Sequence, residues 1–101
     1  MSIIFIKKMI NETKIDRQIA ELGRLADKVT DLYGMFLKMQ HRGCSGDLYA
    51  GVNAMLHDAM IKYHEYRKRL KSIGMSEEDR EKIQRIIKRT EEKIRRMKQL
   101  G

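Results

Sequence analysis

A chain of 101 residues with 42% hydrophobic and 36% charged side chains is one domain's worth of sequence, neither disordered by composition nor membrane-like. It carries 22 Lys and Arg against 14 Asp and Glu, no proline and a single cysteine. This excludes an internal disulfide framework and leaves glycine as the only strong helix punctuation.

The chain opens on Ile3, Ile4, Phe5 and Ile6, followed by Lys7 and Lys8. The run is too short for a signal h-region and its charges follow rather than precede it, so no leader and no membrane span is expected. Residues 1–10 read as an apolar arm, packed on the domain or exchanged with a second subunit. Helical periodicity then begins. Ile15, Ile19, Leu22, Ala26, Val29, Tyr33, Phe36 and Gln40 recur at alternating steps of four and three, with Leu25, Leu32 and Met39 widening the face. Thr13 and Asp16 resemble a capping box, which predicts a first helix over 12–41. Gly43, Ser45 and Gly46 mark where the chain turns.

A second helix is predicted over 46–73. Its stripe is Leu48, Val52, Met55, Ala59, Tyr63, Tyr66, Leu70 and Ile73, with Leu56 and Met60 beside it. Gly74 sits where a left-handed C-cap is wanted. Ser76, followed by Glu77, Glu78 and Asp79, reads as an N-cap with an acidic first turn that suits the helix dipole. The third helix, 77–100, has a narrower stripe of Ile83, Ile86, Ile87, Ile94 and Met97, interrupted by Thr90. Residues 1–101 therefore read as a single all-α domain: an antiparallel up-down-up three-helix bundle with coiled-coil-like packing. At this size only about 60 to 68% of the unfolded surface can be buried. The core is modest and dimerisation would extend it. Gly23, Gly34 and Gly51, each costing about 1 kcal/mol relative to Ala inside a helix, read as close helix approaches or tolerated weak points.

The charge is unevenly placed. Residues 62–101 hold 14 Lys and Arg against 7 Asp and Glu, a net of +7, whereas residues 1–61 hold 8 against 7. On a helical wheel at about 100° per residue with Ile83 at zero, Arg85, Arg96, Arg89, Lys82 and Lys93 fall between about 200 and 280°. This stripe runs about 21 Å along the axis, a track for several phosphates. Arg67 and Arg69, at the end of the second helix, are expected to support it. Set against this, Glu78 with Lys82, Glu81 with Arg85, Glu91 with Arg95 and Glu92 with Arg96 are all i,i+4 pairs in the favourable order. A self-paired, merely solubilising helix therefore explains part of the pattern. Arg80, Lys88 and Lys98 are left over by that pairing, as are Lys68 and Lys71. An excess of this kind favours a polyanion.

Tyr63 and Tyr66 alternate with cations, as in single-strand binders, but their place on the apolar stripe assigns them to the core. His41 and Cys44 have a metal-pair spacing without a second pair to complete four ligands, and His57 and His64 lie seven apart on a helix. No metal or cofactor is expected. Nor does any residue pattern supply a nucleophile with its base or a pair of carboxylates, so an enzyme is not expected. Met35, Met39, Met55 and Met60 read as core filler near the middle of the first two helices. The lone thiol fits a reducing, cytoplasmic setting.

These features point to a small non-enzymatic nucleic-acid-binding accessory protein that contacts phosphate backbones without reading bases. The alternative is a helical protein-interaction module: an assembly adaptor, a chaperone or a small structural subunit of a larger complex. In that reading an acidic protein surface or a second copy is the partner, and contacts at Leu25 or Leu32 carry the binding.

Overall fold

The computed structural model describes the backbone of residues 3–100 and the side chains of residues 14–99. Three helices follow one another: α1 (Ile3–His41), α2 (Asp47–Lys71) and α3 (Glu77–Leu100). Close backbone approaches join α1 to α2 and α1 to α3, and none joins α2 to α3. The molecule is elongated, 63 by 25 by 19 Å. No helix among the described residues is long and apolar enough to cross a membrane.

Helix α1 begins at Ile3 rather than at residue 12, and Thr13 and Asp16 lie within it. No glycine or proline precedes Gly23, so nothing in the backbone chemistry interrupts the helix where the arm was expected. The side-chain packing of that arm lies outside the described residues. The far end of α1 closes with two hydrogen bonds, Gly43 N–H to the Gln40 carbonyl at 3.0 Å and Cys44 N–H to the Met39 carbonyl at 2.9 Å. This is the Schellman pattern, and it places Gly43 at φ 67°, a left-handed conformation that glycine adopts without penalty. Gly46, at φ 95°, then leads into α2.

The end of α2 differs from the expected glycine cap. The helix stops at Lys71 and Ser72 caps it at φ −84°, its hydroxyl donating to the Arg69 carbonyl at 2.8 Å. Only Gly43 and Gly46 have positive φ among the described residues, so Gly74 makes no left-handed cap. At the start of α3 the Asp79 N–H donates to Ser76 Oγ at 3.2 Å, and the Ser76 hydroxyl donates to the Asp79 carboxylate at 3.0 Å. The hydroxyl thus satisfies one of the unpaired first-turn donors.

The core gathers from all three helices. Ile19, Leu22, Leu25, Ala26, Val29 and Leu32 come from α1; Leu56, Ala59, Tyr63 and Leu70 from α2; Ile83 and Ile87 from α3. Leu22 is wholly inaccessible to solvent. Two threonines are buried without an unmet donor: Thr30 Oγ1 donates to the Asp27 carbonyl at 2.9 Å and Thr90 Oγ1 to the Ile86 carbonyl at 2.7 Å. Met97 reaches Gly34, its sulfur 3.6 Å from where a Cβ would stand, whereas nothing lies within 4 Å of such a Cβ at Gly23 or Gly51. A Cβ at Gly34 would thus make an ordinary van der Waals contact with α3, while Gly23 and Gly51 face open space as tolerated weak points.

Several expected core residues are not buried. Leu48 is 76% exposed, Met55 53%, Met35 50% and Met60 37%. On α2 the buried Val52, Leu56, Ala59, Tyr63 and Leu70 centre about 50° from Leu48 and about 70° from Met55 on the helical wheel. Those two lie at the margin of the contact face, in the first half of α2, whereas Tyr66, at the wheel angle of Leu48, packs against the core further along. Methionine at 35, 55 and 60 is therefore surface rather than core filler. Leu25 and Leu32 are buried inside this chain, so they are not free to carry a partner.

Two substitutions test this packing by urea unfolding. Leu22→Ala removes the most enclosed side chain and is expected to cost about 3 kcal/mol, within the range for fully buried leucines. Gly51→Ala, exposed and unobstructed, is expected to gain up to about 1 kcal/mol. A loss under about 1 kcal/mol at Leu22, or any loss at Gly51, contradicts the assignment.

Candidate nucleic-acid interface

Five of the expected phosphate contacts come from one helix, so their spacing follows from α3 itself. Ile83, Ile87 and Thr90 are buried, which turns Lys82, Arg85, Arg89, Lys93 and Arg96 outward, and all five are exposed. Two have acidic company. Lys82 Nζ lies 3.9 Å from Asp79 and Arg85 lies 3.8 Å from Glu81 with its side chain 77% exposed. Pairs this open and this long are worth at most about 1 kcal/mol and yield easily to a competing anion. Glu78, expected to pair with Lys82, gives way to Asp79. Among the described residues neither Glu91 with Arg95 nor Glu92 with Arg96 forms an ion pair, and Arg89, Lys93 and Arg96 have no carboxylate within ion-pair distance.

Tertiary neighbours divide the stripe. Arg89 and Lys93 share a recess with Asp27 and Thr30 of α1, so an acid from another helix faces the middle of the basic track. On the opposite flank Arg85 lines an open groove with Lys88, Arg80 and Arg67 of α2. Glu77, Glu81 and Glu91 interrupt that groove. Arg80 and Lys88 thus join Arg67 and Arg85 on one surface. The sequence marks both as unpaired cations but cannot show that α2 brings Arg67 beside them.

Arg67 and Arg69 part company. Two positions along a helix are about 200° apart. Arg67 lies over the Tyr63 ring with 5.5 Å from its guanidinium carbon to the ring centroid, and Arg69 over the Tyr66 ring at 5.8 Å. Only Arg67 lines the groove beside α3. Tyr63 is buried and Tyr66 partly so, which leaves neither ring free as a platform for bases. Burial raises the Tyr63 phenol above its ordinary value, opposed by the Arg67 charge, and burial likewise raises Tyr66.

His41, His57, His64 and Cys44 are all exposed. No three His, Cys, Asp or Glu side chains among the described residues gather closely enough to hold a metal ion. No protein-family model, characterised protein or solved structure matches the chain.

The raised Tyr63 gives a pH signature. Its proton is held more tightly in the folded than in the unfolded state, so its stabilising contribution is complete below pH 10.0, the unfolded value, and declines as pH rises above it. Unfolding midpoints measured from pH 8 to about 11 are expected to fall more steeply for the parent chain than for Tyr63→Phe. Parallel curves would show that the phenol is not desolvated.

Proposed function

We propose that this chain is a small, non-enzymatic nucleic-acid-binding accessory protein. It seats a phosphate backbone on the outer face of α3 and does not read bases. The observation that carries the reading is the placement of charge: a net of +7 over residues 62–101, displayed on exposed side chains with few carboxylates close enough to neutralise them. Lys82, Arg85, Arg89, Lys93 and Arg96 make the contacts. Arg67 and Arg80 extend them toward α2, while Arg69 is directed elsewhere. Binding by such a surface proceeds through displacement of the counterions condensed on the polyanion. Asp27 opposes it locally.

Fluorescence anisotropy with oligonucleotides across a salt series tests this. Five phosphate contacts on a duplex give a slope of log affinity against log salt near about −4.5, and neutralising Arg85 and Arg89 together flattens it by about two units. Absence of binding at low salt sinks the proposal.

One observation favours a second reading, the protein-interaction module. Met35, Leu48 and Met55 are exposed, and flexible thioethers suit an adaptable apolar contact. In this reading the helices run up, down and up with coiled-coil-like packing, as the stacking of Phe36 on Tyr49 at 5.2 Å and the approach of Met97 to Gly34 suggest, and a second copy covers the apolar side chains. A molar mass in solution that rises with concentration, and returns to the monomer value when Leu48 and Met55 are both replaced by Ser, is the expected result. A monomer at all concentrations removes this reading. The exposed, unpaired Cys44 suits a reducing compartment such as the cytoplasm under either.

A further inference from the structure

Between the end of α2 and the start of α3 lies a cavity of about 90 Å³. Its walls are Leu70, Ile83 and Ile87, which are buried, and Met75, which is partly so. The exposed Lys71, Arg80 and Gln84 and the half-buried Arg67 complete the lining on its solvent side, the mouth. No carboxylate belongs to the lining. Glu77, Glu81 and Glu91 line the outer groove instead. One ordered water needs roughly 10 to 15 Å³, so the space holds several, and against aliphatic walls those waters find few partners. An apolar group that replaces them gains from their release. The mouth, meanwhile, presents three cations that no acid of the cavity balances, and a ligand anion there gains charge-assisted hydrogen bonds.

We infer that this cavity binds a compact organic anion, an aryl or short-chain acyl carboxylate. The apolar body enters between Leu70, Ile83 and Ile87, and the carboxylate stays at the mouth on Arg67, Lys71 and Arg80. The requirement is for both parts in one molecule. A phosphate backbone presents charge without an apolar body and tracks the outer face of α3, so the inference stands apart from the nucleic-acid reading although the two surfaces share Arg67 and Arg80. Arg67 is the better placed of the three, because the Tyr63 ring beneath it restrains the guanidinium and reduces the ordering left to be lost on binding.

The test is a titration of the isotope-labelled full chain, followed by amide chemical shifts, with benzoate and with hexanoate at constant ionic strength. Acetate supplies the charge without the body, and benzyl alcohol the body without the charge. Benzoate and hexanoate are expected to bind with Kd on the order of 1 mM or tighter, shifting amides between Arg67 and Ile87, while acetate and benzyl alcohol bind at least tenfold more weakly. Arg80→Gln, an exposed change, is expected to weaken benzoate about fivefold or more. Gln84→Trp, which fills the mouth from an exposed position, is expected to abolish binding while the oligonucleotide salt slope persists. Failure of both acids to bind overturns the inference. So does acetate or benzyl alcohol equalling benzoate, or benzoate binding that survives Gln84→Trp.

Discussion

Everything in this fold leans on α1. Its apolar face is wide enough to serve two neighbours at once, with Leu22 at the centre of the packing and Leu25, Ala26, Val29 and Leu32 spread to either side. Helices α2 and α3 each approach the α1 backbone and do not approach one another's. A bundle closed equally on three sides would bury more apolar surface, about 25 cal/mol for each Å². Here the backbones of α2 and α3 stay apart, and the α3 stripe is interrupted at Thr90, a core position whose hydroxyl bonds back to Ile86. The closest backbone packing is therefore that of α1, while Tyr63 and Leu70 of α2 and Ile83 and Ile87 of α3 join the same buried core.

The placement of α2 and α3 around α1 sets where the basic surfaces lie. The basic residues of α3 divide between a flank that meets α1, where Asp27 faces Arg89 and Lys93, and a flank that meets α2, where Arg67 joins Arg80, Arg85 and Lys88. The end of α2 and the start of α3 enclose the space between Leu70 and Ile83. Charge on the rim and apolar surface at depth thus come together where α2 and α3 share α1 as a partner.

Local features of the chain were the legible ones. The three stripes announce an all-helical molecule because their spacing depends only on residues within one helix, and the Ser76 cap and its acidic successors act within a single turn. What escaped depends on neighbours. Leu48 and Met55 fit the α2 stripe by spacing, yet they lie at the margin of the contact face, and only the position of α1 determines how much of the stripe is covered. Gly74 looked like a helix end, but Ser72 closes α2 first by capturing the Arg69 carbonyl. On the candidate site, the outward angle of Arg85 and Arg89 follows from α3 alone. The presence of Asp27 and the placement of Arg67 and Arg80 on one groove do not, since each brings together residues distant in sequence.

The Tyr63 ring beneath Arg67 has a consequence for how this molecule can be watched. The chain has no tryptophan and 4 tyrosines, so its near-ultraviolet spectrum is a tyrosine spectrum. One of those chromophores is buried in contact with a guanidinium at the edge of the cavity. Any anion that draws Arg67 away alters the electric field on that ring, and the protein carries, without a label, an optical reporter of its own charged surface.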